Sequence, residues 1–340
     1  MPKMKLAQVA KPGSAFEIVE SEIPQPNAGQ LRVRVLACGI CHSDMFTKEG
    51  LWPGIHFPRA PGHEIAGVID ELGADVVGWE KGERVGVGWY GGHCGRCLAC
   101  RKGDFILCPD LQTPGISYDG GYAQYVVTPA AALARIPDGL TNDEAAPLLC
   151  AGITTFNALR HSGAGPGDLV AIQGVGGLGH LAIQFANKFG YKVAAVSRGP
   201  QNVGLAKKLG AHHYIDSHAV NAAEELQKLG GARVILATAP NSKAMSALFD
   251  GLGADGKLLT VGAGIEPLQV TPLQLIRNRR AIQGWPSGTA TDSEDTLNFA
   301  LVAGVRPMIE RFSLERVNEA YERMISGKAE FRVVLTMPEK

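Results

Sequence analysis

Neither sign of charge prevails in this chain: 33 basic and 33 acidic side chains cancel over 340 residues. That balance, with no basic stripe, removes the footprint of a nucleic-acid binder and of a polybasic membrane patch. Long apolar runs are missing as well, and no stretch approaches the roughly 20 residues a membrane helix needs. The N-terminal MPKMKLAQVAKPGSAF has basic residues but neither the apolar core nor the small-residue cleavage site of a signal peptide, so a cytoplasmic protein is expected. No internal repeat and no low-complexity segment suggests a solenoid or a disordered tail. Cysteine is sparse and uneven: seven in all, an odd number, with four packed between positions 94 and 108. This does not fit a secreted disulfide framework and points to metal in a reducing compartment.

What is present describes a soluble globular protein, 45% hydrophobic and 19% charged. Its length exceeds that of a single core, so two domains are the prior. Before residue 150, short runs such as Leu31 to Leu36 and Glu64 to Asp70 are punctuated by turn signals (PQPNAGQ, FPRAPGHE), which predicts many short strands. After it the rhythm is strand then helix: DLVAIQ (168–173), a helix to Phe189, KVAAVS (192–197), a helix ending at Gly210, RVILATA (233–239) and KLLTVG (257–262). That alternation predicts a parallel, doubly wound α/β sheet. Leu178, Leu181, Ala182, Phe185, Ala186 and Phe189 fall on one helical face, with Gly190 as the stop. From about residue 290 a last helical stretch, VNEAYERMISGK, leads to a strand, FRVVLTM, which is expected to return to the N-terminal domain.

Gly174-x-Gly176-x-x-Gly179 lies between a predicted strand and a predicted helix. Glycines there allow a tight turn, backbone approach to a pyrophosphate and close helix-to-strand packing, while the helix start offers N–H groups to phosphate. Gly177 and Leu178 complete the turn, and Val261 ends a later strand of the same sheet. Where a cofactor with a free 2′-hydroxyl calls for Asp or Glu, this chain has Ser197 and Arg198. A guanidinium pairs with a 2′-phosphate that a carboxylate repels, so NADP(H) is expected over NAD(H); the alternative is a solvated Arg198 and a site that takes both.

Cys94, Cys97, Cys100 and Cys108 are spaced C-x2-C-x2-C-x7-C. Four thiolates in one short loop can close a tetrahedral structural zinc site, though an iron–sulfur cluster uses similar spacing. His93 adjoins them, but four sulfurs fill the shell. Of the remaining thiols, Cys38 and Cys41 form a C-x-x-C that reads as a redox pair, half of a zinc site, or neither. A thiol–disulfide protein is disfavoured because no thioredoxin-like βαβ pattern surrounds the pair.

CHSD (41–44), GHE (62–64), the four-cysteine lobe, CAGITT (150–155) and GVGGLG (174–179) stand in an order that resembles the zinc-dependent alcohol dehydrogenases of the medium-chain dehydrogenase/reductase superfamily. The likeness spans essentially the whole chain and is greatest to the bacterial, yeast-type and cinnamyl-alcohol-dehydrogenase-like members. It implies a mainly β GroES-like catalytic domain over 1–151 and 287–340, with a structural zinc lobe at 91–109, and a Rossmann domain over 152–286. It also implies two zincs per chain and a homodimer or homotetramer. The catalytic zinc would be held by Cys41, His63 and Cys150, with Glu64 a nearby alternate ligand and a fourth position for water or substrate oxygen.

Other roles follow from the same resemblance. Ser43 would take the alcohol proton toward the nicotinamide ribose, Asp44 would orient a metal ligand, His42 and Arg332 would lie beside the pyrophosphate, and Thr154 near the nicotinamide. Many relatives carry a histidine three residues after the Ser43 position; here it is Phe46, so the relay must end at the ribose, a water or another group. Trp52 and Trp89 match pocket tryptophans that favour slim primary alcohols, or else simply pack in a core. Polyol, formaldehyde or cinnamyl-type substrates stay open, and a zinc-ribbon interaction protein is the non-enzymatic rival.

Overall fold

The protein is described from a computed structural model covering residues 2–338. It divides into two units: the chain through Ile153 together with the chain from Ser287 onward, and Thr154–Pro286. In the first unit, β1 (Lys3–Val9) and β2 (Phe16–Glu22) pair antiparallel. The main sheet is built on β3 (Gln30–Ile40), β4 (Ile65–Leu72), β5 (Arg84–Val87), β6 (Tyr125–Pro129) and β7 (Leu133–Arg135). The long β3 explains how this sheet reaches its site. Leu31, Val33, Val35 and Ala37 point to the core in alternation with Arg32 and Arg34, and then every residue from Ala37 to Cys41 is buried. A register shift against β4 falls between Val35 and Ala37, just before that change.

The second unit has β8 (Leu169–Gln173), β9 (Lys192–Ser197), β10 (His213–Asp216), β11 (Ala232–Ala237), β12 (Leu252–Thr260) and β13 (Ala281–Gly284). They form one sheet in the order β10-β9-β8-β11-β12-β13, every pair parallel. This is the doubly wound Rossmann order, with its switch point between β8 and β11. All five residues of β8 are buried, as a strand covered on both faces requires. The helix Gly179–Lys188 buries Leu181, Ala182, Phe185 and Ala186, and Gly190 at φ +80° follows its end.

The chain then returns to the first unit through β14 (Ile309–Ser313) and β15 (Arg332–Thr336), giving the order β14-β15-β3-β4-β5-β7 with β6 also on β3. β15 pairs antiparallel with β3, setting Leu335 opposite Cys38 and Val333 opposite Ile40. The sequence reading missed the 14-residue helix Ala290–Ala303, capped by Thr289 and Asp292 and closed by Gly304 at φ +71°. Its buried face is Ser293, Thr296, Leu297 and Ala300, half of it polar, so no apolar stripe announces it. No helix among the described residues is long and apolar enough to cross a membrane.

Candidate active site and metal centres

Three separate segments of the first unit supply one cluster. Cys41 follows β3 directly, His63 and Glu64 end the loop into β4, and Cys150 sits in a π-helical turn, Leu148–Gly152. That turn continues the helix Asn142–Pro147, fixed at its start by a Thr141–Glu144 capping box. The ligand atoms of Cys41, His63, Glu64 and Cys150 lie within 4.8 Å of one another. The two sulfurs are 3.8 Å apart, and two thiolates at about 2.3 Å from a tetrahedral zinc stand roughly 3.8 Å apart. His63 Nε2 and Glu64 Oε2 are buried without a hydrogen-bond partner. Both would be costly orphans in a dry interior and are satisfied at once by a cation.

Asp44, buried, organises this cluster. Its Oδ1 lies 3.2 Å from His63 Nδ1, and its Oδ2 accepts the Cys41 N–H at 2.8 Å and the Tyr122 hydroxyl at 2.9 Å. With Nδ1 committed to the carboxylate, Nε2 is the nitrogen left for a metal. Glu64 Oε1 pairs with the Arg332 guanidinium, which also donates to the Ile40 carbonyl at 3.3 Å. A Cβ on Gly39 would fall 1.8 Å from Glu64 Oε2, so the free carboxylate oxygen occupies room that only glycine leaves.

The hydrogen bond from Cys150 holds the Cys41 thiol well below its ordinary range, and the same contact pushes Cys150 up. Burial disfavours a charged His63, but Asp44 and Cys41 together outweigh it and the imidazole is raised. Burial pushes Glu64 up to about 7 against the pull of Arg332.

The second cluster closes on itself. Cys94, Cys97, Cys100 and Cys108 also bring their sulfurs within 4.8 Å, and the separations 3.6 Å (Cys94–Cys108), 3.9 Å (Cys97–Cys108) and 4.0 Å (Cys94–Cys100) bracket the tetrahedral edge. Backbone N–H groups of Cys94, Cys97 and Cys100 each donate to a sulfur at 3.4 Å, as suits thiolates. Such amides, from Arg96 and Cys97, hold Cys94 down to about 7. His93 stands outside this set: its Nδ1 meets the Tyr90 hydroxyl and its ring stacks on Phe105 at 4.2 Å.

Beside His63 runs an unbroken file of rings. Trp89 meets His63 edge-on at 5.0 Å, Trp52 meets Trp89 at 5.9 Å, and Phe46 meets Trp52 at 5.4 Å. Trp52 is 43% exposed, so it is not a core residue. Phe46, seen in the sequence only as an interruption of the proton relay, is the third ring of this wall. Ser43 is half-buried and its hydroxyl makes no capping bond, while His42 is exposed.

In the second unit the three glycines divide their work. Gly174 turns the chain at φ +96°, a Cβ on Gly179 would fall 1.9 Å from the Gly174 carbonyl, and Gly176 faces open space. Gly177 and Leu178 are half-buried just before the helix, and Val261 follows the end of β12. Thr238, which the sequence did not single out, bonds the Gln173 carbonyl at 2.7 Å across the switch point. Ser197 ends β9 and accepts from Asn202 at 3.3 Å. Arg198 is exposed, with no side-chain partner among the described residues. Asp216, opposite Ser197 in register, spends one carboxylate oxygen on the Gly199 and His218 amides at 2.7 and 2.9 Å. Thr154 is half-buried on the helix Ile153–Arg160.

A nucleotide-type sheet and a buried cysteine–histidine cluster able to hold a metal, in one chain, fit an oxidoreductase of the medium-chain type. Residues 27–138 match the alcohol dehydrogenase GroES-like domain, and residues 177–302 match the zinc-binding dehydrogenase domain. An alcohol dehydrogenase of Penicillium expansum is 45% identical, covering 98% of this chain and 97% of its own. One from Geobacillus stearothermophilus is 39% identical, over 99% and 100%. A solved structure of a cobalt- and zinc-bound thermostable alcohol dehydrogenase from Pyrobaculum aerophilum superposes with a TM-score of 0.88 at 27% identity, over 98% and 100%. The chain belongs to the zinc-type medium-chain alcohol dehydrogenases. Alcohol dehydrogenase chemistry on a small alcohol or aldehyde follows from that membership.

Proposed function

We propose that this enzyme is a zinc-dependent dehydrogenase that moves a hydride between a slim primary alcohol, or its aldehyde, and NADP(H). The observation that carries the reading is the buried set Cys41, His63, Glu64 and Cys150, with two of its ligand atoms otherwise unpartnered. In this reading Cys41, His63 and Cys150 hold the catalytic zinc with Glu64 as alternate ligand, and Cys94, Cys97, Cys100 and Cys108 hold a second, structural one. Bound zinc supplies Lewis acidity at the substrate oxygen, and the nicotinamide supplies or accepts the hydride.

The chain's own side chains do the remaining work. Asp44 keeps His63 in the tautomer with a free Nε2. Ser43 would take the alcohol proton toward the nicotinamide ribose, and because Phe46 can carry no proton the relay would end at the ribose, a water or another group. His42 and Arg332 serve the pyrophosphate, while Thr154, Val261 and the Gly174–Gly179 turn serve the rest of the cofactor. Preference for NADP(H) is supported by the exposed, unpaired Arg198 and by the engagement of Asp216 with backbone amides. Trp52 and Trp89 support a narrow pocket. Strand β13, paired only with β12 among the described residues and exposing Ile282, supports a homo-oligomer, and the free cysteines a cytoplasmic one.

The test is a steady-state panel of alcohols and aldehydes with NADPH and NADH on protein whose zinc has been counted. Turnover of primary substrates, faster with NADPH, is expected. A clear NADH preference removes the cofactor half of the reading, and no nicotinamide-linked turnover removes all of it.

A further inference from the structure

We infer that Tyr122 is a positioning residue for the catalytic metal: its hydroxyl, acting through Asp44, sets the imidazole and the thiolate that hold the ion. This rests on the zinc reading of Cys41, His63 and Cys150 given above. Tyr122 is fully buried, and its hydroxyl donates to Asp44 Oδ2 at 2.9 Å. The same oxygen accepts the Cys41 N–H at 2.8 Å, and the other carboxylate oxygen meets His63 Nδ1 at 3.2 Å. One carboxylate thus takes three donors, two of them from metal-site residues and the third from Tyr122.

The backbone of Tyr122 is tied to the same place. Its N–H donates to the Pro61 carbonyl at 3.0 Å, and those of Gly121 and Gly120 donate to Gly62 at 2.9 Å and Ala60 at 2.7 Å. Residues 120–122 are therefore pinned to residues 60–62, the segment that delivers His63. A Cβ on Gly62, at φ +105°, would come within 2.5 Å of the Tyr122 ring, so the ring packs directly on the backbone next to His63. Tyr122 joins the turn carrying Cys41 to the loop carrying His63 by one side-chain bond and a short run of backbone bonds.

Packing alone does not explain the hydroxyl. A phenylalanine fills the same ring space, against Phe16 at 5.9 Å, without bringing a polar group into a dry interior. Removing the donor leaves Asp44 with two donors rather than three and leaves part of a buried carboxylate unsatisfied. The carboxylate then shifts toward its remaining donors, and the geometry of His63 and Cys41 shifts with it.

The experiment compares wild type with Y122F by chelator competition for zinc, and by visible absorption after cobalt exchange into the catalytic site. The expected result is that one of the two zincs binds roughly tenfold more weakly while the other is unchanged, with displaced cobalt bands. In an Asp44→Asn background the Y122F effect should vanish, because the path runs through Asp44. Phe16→Leu, which disturbs the ring packing but not the hydroxyl, should leave both zinc affinities intact. If Y122F does not fold, 3-fluorotyrosine at position 122 keeps the ring and alters the donor, and the cobalt bands should still move. Unchanged affinities in Y122F, equal loosening of both zincs, or Phe16→Leu matching Y122F each overturn the proposal alone. A wild-type protein that binds only one zinc overturns the zinc reading and this inference together.

Discussion

Replacing Asp44 by Asn keeps its shape and removes its charge, and the structure shows why no orientation of the amide can serve the site. The carboxylate accepts from Cys41 N–H at 2.8 Å and Tyr122 Oη at 2.9 Å on one oxygen and faces His63 Nδ1 at 3.2 Å on the other. With its NH2 toward His63, the amide forces Nδ1 to accept. The imidazole proton then moves to Nε2, the atom that lies among the metal ligands. With its NH2 toward Cys41, the amide meets a backbone donor that has nowhere to turn, although the tyrosine hydroxyl can rotate. A buried donor left unmet costs about 1–3 kcal/mol, which is on the order of 10- to 100-fold in affinity. The expected result for D44N is catalytic zinc weakened by that factor, structural zinc untouched, and turnover lost in parallel with zinc and partly restored by excess zinc. Chelator competition with zinc counted at each step measures it. A D44N protein that keeps two zincs at wild-type affinity and turns over normally refutes the reasoning.

Three other outcomes follow from the same geometry. Trp89→Ala opens the ring file next to His63 and should raise relative activity on bulkier alcohols; an unchanged profile across chain lengths argues that the wall does not line the pocket. Arg198→Ala should lower kcat/KM for NADPH by about 10- to 100-fold, the loss of a charge-assisted contact, with little change for NADH; equal losses for both cofactors would contradict that assignment. Cys38→Ser should keep both zincs and full activity at a cost of about 1–3 kcal/mol in stability, since the fully buried Cys38 sulfur packs beside Gly62 and Gly121 and bonds the Gly39 carbonyl, and equilibrium unfolding with a zinc count decides it.

Much of this was readable in the sequence because it is local. The strands at 168–173 and 192–197, the glycine turn and the four-cysteine lobe are written in contiguous residues whose period or spacing carries the physics. The wiring of the metal cluster is not local. Asp44 meets Tyr122 across 78 residues, Cys41 meets Cys150 across 109, and Glu64 meets Arg332 across 268. Arg332 was placed by motif beside a pyrophosphate, and nothing in its neighbourhood foretold an ion pair with Glu64. The π-helical turn at Cys150 was equally silent, since a change of hydrogen-bond register leaves no mark on composition. The helix Ala290–Ala303 went unread because its buried face is half polar.

In the proposed function Cys41, His63 and Cys150 hold a zinc on which turnover depends, separately from the zinc of the lobe. Zinc content measured together with alcohol oxidation, in wild type and in Cys41→Ser, tests it most directly. Two zincs and turnover are expected in wild type, and one zinc with no turnover in the variant. Two zincs retained in Cys41→Ser, or full turnover by a wild-type protein holding only the lobe's zinc, would contradict it.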